Sequence, residues 1–270
     1  MKILQVFSLI STLLATSEVP DLNIPNQIHL HSQDLHISNQ IHSLRPLSGS
    51  CSHDIPGLSC SSWRLAVETN NIIGWTTVPE ECENYVGNYM LGQHYRNDSK
   101  VVADVALAHA KSMNLTGDGK DIWVFDVDET TLSNVPYYAS NGFGTTPYNS
   151  TLFNEWVKEG KAPALPESLK LYKNLLSLGI KVVFLTGRRE HTRNSTATNL
   201  KEAGYHTWEK LILKNSTYYS EVEYKSNERK QLEENGYRII GNMGDQWSDL
   251  LGTNAGIRTF KLPDPMYYVS

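Results

Sequence analysis

The chain predicts an α/β fold with a parallel five-stranded sheet, on three observations. Beyond Gly117, short apolar runs alternate with helical patterns, as expected of repeated strand–helix–strand units. Gly179, Gly204 and Gly236 each close a helical pattern, where a residue tolerant of positive φ belongs. The run Ile122-Trp123-Val124-Phe125 gives way to two acids, Asp126 and Asp128. A buried strand does this when it emerges into a loop, and in open α/β sheets ligands bind outside those carboxyl ends.

The expected strands are Asp121–Phe125, Ile180–Leu185, Glu209–Leu213, Arg238–Gly241 and Ile257–Phe260. Helices are expected over Glu167–Leu178, Thr192–Ala203 and Glu223–Asn235, with a short one from Trp247. Upstream, Trp63–Asn71 reads as a helix. From Glu80 to Met113 the apolar spacing is helical, with a break over Gly92–Ser99 that predicts two helices. Residues 131–165 are rich in Gly, Pro and aromatic side chains, including Tyr137, Tyr138, Phe143, Tyr148, Phe153 and Trp156. They read either as a wall over the site or as an irregular loop filling its own core.

The first 17 residues carry a basic start at Lys2, an apolar stretch from Ile3 to Ala15 and the small-residue pattern Ala15-x-Ser17, the form of a secretory signal. That stretch falls short of the ~20 residues a spanning helix needs, so membrane insertion is not expected. Residues 18–57 lack periodicity and predict a solvated leader or propeptide. His29, His31, His36 and His42 crowd there, but no carboxylate or cysteine framework accompanies them.

A secretory route permits disulfides. Cys60 and Cys82 flank the first helical excursion and could close it. Cys51 is then left for a bond to a second copy, giving a homodimer, or for a free thiol; Cys51 with Cys60 is the alternative pair. Sequons at Asn97, Asn114, Asn149, Asn194 and Asn215 predict a glycoprotein on which some sites are used.

A chain of 270 residues with 40% hydrophobic content can bury a full core. The net charge of −5 is spread along the chain, and no basic cluster exceeds Arg188-Arg189, so nucleic acid is not an expected partner. The Asp-x-Asp-x-Thr pattern also fails as a calcium loop. Thr131 stands where that loop's turn takes Gly, and Tyr137 where it takes Glu.

The segment FDVDETTLS, the run VVFLTGR ending near Thr186, Lys225, and GDQWSD with Asp245 and Asp249 occur in that order. They resemble the four motifs of the haloacid dehalogenase (HAD) superfamily. Over about residues 58 to 270 the runs SSWRLAVETNN, VPEECENYVGNYM and GNMGDQWSDL are similar to the plant acid phosphatase and vegetative storage protein family, resembling class B-type acid phosphatases. The resemblance implies an α/β HAD-like Rossmannoid three-layer sandwich. Its phosphatase domain would occupy 117–270 with a small cap near 131–165, behind an N-terminal helical extension over 58–116.

It also implies roles. Asp126 is expected to attack phosphorus as the nucleophile, and Asp128 to protonate the leaving alcohol and then deprotonate water. Mg²⁺ would be held by Asp126, the carbonyl of Asp128 and Asp245, with Asp249 ligating or orienting metal waters. Thr186 and the backbone N–H of Gly187 would bind phosphoryl oxygens, and Lys225 would offset charge on nucleophile and phosphate alike. Lys214 is the rival cation, set aside because Lys225 stands 20 residues before Asp245 as the family's lysine does. An Arg such as Arg188 more often lies at the surface or behind the site; reaching substrate is the alternative.

The leading expectation is therefore a Mg²⁺-dependent acid phosphatase acting on small phosphomonoesters, located in the vacuole or apoplast. The rival is a vegetative storage glycoprotein with little or no turnover.

Overall fold

The computed structural model describes residues 59–72, 74–215 and 220–269. The expected signal segment, the leader with its histidines, and Cys51 lie outside these residues.

Ser59 caps α1 (Cys60–Glu68) through its side chain, which accepts from the amide of Ser62 at 3.3 Å. That cap starts the helix three residues before the expected Trp63, and the left-handed Asn70 (φ 62°) follows its end. The expected pair of helices appears as α2 (Glu83–Leu91) and α3 (Gln93–Ser112). The break is Gly92 alone, not Gly92–Ser99, because extended backbone at this one residue ends α2 and caps α3. Asn97 therefore lies within α3. A disulfide joins Cys60 and Cys82, with Cα atoms 5.4 Å apart, and ties α1 to the turn before α2.

The sheet comprises β1 (Asp121–Phe125), β2 (Lys181–Arg189), β3 (Lys210–Lys214), β4 (Arg238–Gly244) and β5 (Thr259–Lys261). All pairings are parallel, in the order β3-β2-β1-β4-β5. The connecting helices are α4 (Val135–Ala139), α5 (Ser150–Glu159), α6 (Pro166–Ser177), α7 (Arg193–Glu202), α8 (Glu221–Glu234) and α9 (Trp247–Leu250). Gly179, Gly204 and Gly236 follow α6, α7 and α8 with φ of 81°, 103° and 83°, as expected of helix stops.

β1 is buried at every position, and its side chains alternate between two cores, as a period of two requires. Trp123 and Phe125 join Ala106, Leu171 and Leu200 of α3, α6 and α7; Ile122 and Val124 join Tyr224 and Leu232 of α8. A sheet covered on both faces is the three-layer sandwich that the alternating sequence predicts. The β1–β4 register shifts after Ile122, bringing Gly241 beside the Trp123 ring. A Cβ on Gly241 would come within 2.4 Å of that ring, so the largest side chain of the central strand fits only against glycine.

The register sets the position of the acids. The amide of Asp126 donates to the carbonyl of Met243 at 2.9 Å, so the loop leaving β1 starts beside the end of β4, with Asp245 one residue beyond Gly244.

Candidate active site

The loop after β1 turns tightly, with the amides of Thr131 and Leu132 both donating to the Val127 carbonyl at 3.0 and 2.8 Å. Glu129 takes a left-handed conformation (φ 50°), which is costly for a residue with Cβ and persists only where surroundings enforce it. The enforcement comes from Asn134, whose amide and side chain donate to the Glu129 carboxylate at 2.5 and 2.8 Å. The same Asn134 side chain donates to Asp128 at 2.8 Å and accepts from Trp156 Nε1 at 2.8 Å. Segment 131–165 thus reaches the motif through side chains. Within it the exposed Tyr148 lies 5.7 Å from Phe153, and Tyr137 a further 5.4 Å on.

Asp126, Asp245 and Asp249 present carboxylate oxygens within 4.8 Å of one another, all buried. Gly244 makes this approach available, since a Cβ there would meet the Asp249 carboxylate at 2.2 Å. Lys225, from α8, donates to Asp126 at 2.5 Å and also to Asp249. Burial alone would lower the Lys225 pKa, but the two carboxylates outweigh it and hold the ammonium above its ordinary value. Asp126 and Asp245 are pushed well above the usual carboxylate range by burial and by the acids beside them.

Three buried carboxylates facing one ammonium leave negative charge uncompensated. An all-oxygen donor set of this kind fits a hard divalent cation. Thr130 Oγ1 and Gln246 Nε2 donate to the two Asp245 oxygens at 2.9 and 2.8 Å, fixing that carboxylate. The Asp249 carboxylate also accepts from the Gln246 amide at 2.9 Å, closing a capping box at α9.

The Asp128 carboxylate is not among the three. Arg188 forks onto it, with Nε 3.1 Å from each oxygen and Nη2 2.8 Å from Oδ1. Burial would raise the Asp128 pKa, yet Arg188 and Asn134 overcome it and the pKa is lowered. Arg188 holds only the Asp128 side chain, so the Asp128 carbonyl, its expected contribution to the ligand set, is outside the clamp, as are Asp126, Asp245 and Asp249.

Of the two commoner places expected for Arg188, it takes the one behind the site and not the surface: only 2% of its side chain is exposed. The cause is local, because β2 runs on to Arg189 and its register against β3 shifts between Thr186 and Arg189. The bulge swings Arg188 inward, as bulges beside active sites do, and its Nη1 donates to Thr196 at 3.2 Å.

Thr186 is fully buried and its hydroxyl lies 3.5 Å from Asp128, while Gly187 packs beneath the Glu221 carboxylate. Lys214 pairs with Glu221, at the start of α8, and not with the aspartates. Asn97 (in α3), Asn114, Asn149, Asn194 (in α7) and Asn215 are all exposed; the hydroxyl residues of the Asn215 sequon lie outside the described residues. A cavity of about 340 Å³ opens elsewhere, beside α1. Its cations are already paired, Arg64 with Asp98 and Lys261 with Glu68, so chemistry favours the aspartate end.

Sequence reasoning missed Glu129, Thr130, Asn134, Gln246 and Asp264. The first two lie within the Asp126 motif and Gln246 adjoins Asp245, so proximity was a signal for these. Asn134 and Asp264 carried none.

The fold is shared with a solved structure described as the class C acid phosphatase from Bacillus anthracis. That likeness has a TM-score of 0.58 at 20% identity and covers 70% of this chain and 86% of the other. The class so defined is a parallel α/β fold. The family described as HAD superfamily, subfamily IIIB (Acid phosphatase), matches residues 49–270. Acid phosphatase 1 of Solanum lycopersicum is 51% identical over 78% of this chain and 84% of that protein. The stem 28 kDa glycoprotein of Glycine max is 51% identical over 79% and 85%, and vegetative storage protein 1 of Arabidopsis thaliana is 40% identical over 100% and 99%. The chain belongs to the HAD subfamily IIIB acid phosphatases.

Proposed function

We propose that this acid phosphatase hydrolyses small phosphate monoesters through an aspartyl-phosphate intermediate on Asp126. The observation that supports this best is the buried meeting of Asp126, Asp245 and Asp249 around Lys225. Phosphate monoesters react slowly because an anion must approach an anion, and here a nucleophile and a fixed cation share one site.

Asp126 attacks phosphorus and the ester oxygen leaves with a proton from Asp128; Asp128 then takes a proton from the water that cleaves the acyl phosphate. Asp128 must therefore be protonated for the first step. The Arg188 clamp favours its carboxylate, and working in acid supplies the proton. Thr186 and the Gly187 amide serve phosphoryl oxygens, and Lys225 offsets the charge that accumulates on them. Mg²⁺, held by Asp126, Asp245, Asp249 and the Asp128 carbonyl, would supply electrostatic neutralisation of the phosphoryl group.

Around this centre, residues 58–116 act as a helical extension, 117–270 as the phosphatase domain and 131–165 as its small cap. The described residues include no helix long and apolar enough to cross a membrane, and the segment before them fits entry into the secretory pathway, toward vacuole or apoplast. The five exposed sequon asparagines suit glycosylation, and Cys51 suits a covalent homodimer. The relatives named as storage proteins and stem glycoproteins favour a second reading, storage with little turnover.

Hydrolysis of an aryl phosphate at acidic pH, with and without chelator, separates the two. Activity lost on chelation and in Asp126→Asn is expected; an inert but abundant and correctly folded protein establishes storage.

A further inference from the structure

The fourth-motif aspartate is braced from the far end of the chain. Gln246, only 7% exposed, lies between Asp245 and the C-terminal segment. Its Nε2 donates to Asp245 Oδ2 at 2.8 Å, to Asp264 Oδ2 at 3.1 Å and to the Tyr267 carbonyl at 3.4 Å. Its Oε1 accepts from the amide of Val269 at 2.8 Å. The amide orientation follows from these partners, because the reverse would set a carbonyl oxygen against two carboxylates.

Asp264, fully buried, is itself fixed: its Oδ1 accepts from the Met266 amide at 2.9 Å and its own amide donates to Glu68 of α1 at 2.9 Å. Lys261 also pairs with Glu68, and Trp247 Nε1 reaches the Glu68 carbonyl at 3.3 Å. An unbroken set of hydrogen bonds therefore runs from α1 through Asp264 and Gln246 to a carboxylate of the cation cluster.

We infer that Gln246 and Asp264 are positioning residues that hold Asp245 in its ligating orientation, making the C-terminal segment 264–269 part of the metal centre. The inference rests on the metal-assisted reading above. A short aspartate side chain with one fixed donor, Thr130, can rotate about its terminal bond; a second donor on the other oxygen removes that freedom. Outer partners of this kind typically set metal affinity by about 10–100-fold.

The test is Mn²⁺ binding by the full chain without substrate, followed by electron paramagnetic resonance, alongside thermal melting. Gln246→Leu and Asp264→Ala are expected to weaken Mn²⁺ binding by about 10–100-fold. Asp264→Asn leaves one acceptor oxygen for two donors, the Met266 amide and Gln246 Nε2, and is expected to bind more weakly than wild type. A chain ending at Tyr268 loses only the Val269 contact among these and is expected to bind a few-fold more weakly, so the test stands even where a core variant fails to fold. Metal half-saturation of activity should rise in step.

Unchanged Mn²⁺ affinity in folded Gln246→Leu or in the shortened chain overturns the inference. Failure of the metal reading looks different: wild type and Asp245→Asn would then bind Mn²⁺ alike.

Discussion

A carboxylic acid out of water drifts toward its neutral form, but Asp128 moves the other way because Arg188 and Asn134 donate to it. On the proposed mechanism Asp128 is the base for dephosphorylation, and that base would be lost as pH falls through its lowered pKa. Removing the guanidinium in Arg188→Ala raises that pKa, so the acid limb of log kcat is expected to move to higher pH. Turnover in acid should fall by up to about a hundredfold, the lower end of what general acid–base groups contribute. A limb that stays in place contradicts the role given to Arg188. Asp126, Asp128, Thr186, Lys225, Asp245 and Asp249 were legible because short motifs carry them in order. The place of Arg188 was left open because its inward turn depends on the register shift between β2 and β3, which no local pattern records.

The pairing of β1 with β4 delivers Asp126 to Asp245, and Gly241 is where that pairing is tightest. Gly241→Ala would drive a methyl group into the Trp123 ring, which also stacks on Phe260 at 5.2 Å. The expected cost is about 1–3 kcal/mol of stability, read from urea unfolding of the metal-free protein; a neutral substitution would mean that the sheet relaxes freely there. Apolar runs and helix-stopping glycines revealed all five strands and the principal helices. The bounds were less accessible. β2 outruns its apolar residues because backbone pairing continues through the second motif, and α3 starts at Gln93 because extended Gly92 ends one helix and caps the next. The short α4 has too few turns to declare a period, whereas α5, as long as α7, was passed over inside a segment rich in Gly, Pro and aromatic side chains.

Four acids gathered from distant parts of the chain, Asp126, Glu129, Asp245 and Asp264, are buried with pKa values raised by burial first and by one another next. A carboxyl whose folded pKa is raised contributes stability that is complete below its unfolded pKa, about 4, and is lost as pH rises through the folded value. Asp128, part-buried, has a lowered pKa and works in the opposite sense, as do Asp104, Asp118, Glu190 and Glu209, which lie at or near the surface where solvent screens their contribution. Chelated protein is therefore expected to melt at a lower temperature at pH 7.5 than at pH 5, with Mg²⁺ narrowing the gap by binding the folded state. Higher stability at pH 7.5 without metal would contradict this electrostatic account. The topological neighbours of the motifs could be read in advance, whereas the clamp of Glu68 on Lys261 and Asp264 spans nearly the whole described chain and leaves no mark on either segment. The proposed covalent step would join the fold, the acids and the lysine in one event, and rapid quenching with a ³²P-labelled monoester followed by peptide mapping reads it directly. Label on the peptide containing Asp126, absent from Asp126→Asn, is the expected result; turnover with no label there, or with label on another residue, would contradict it.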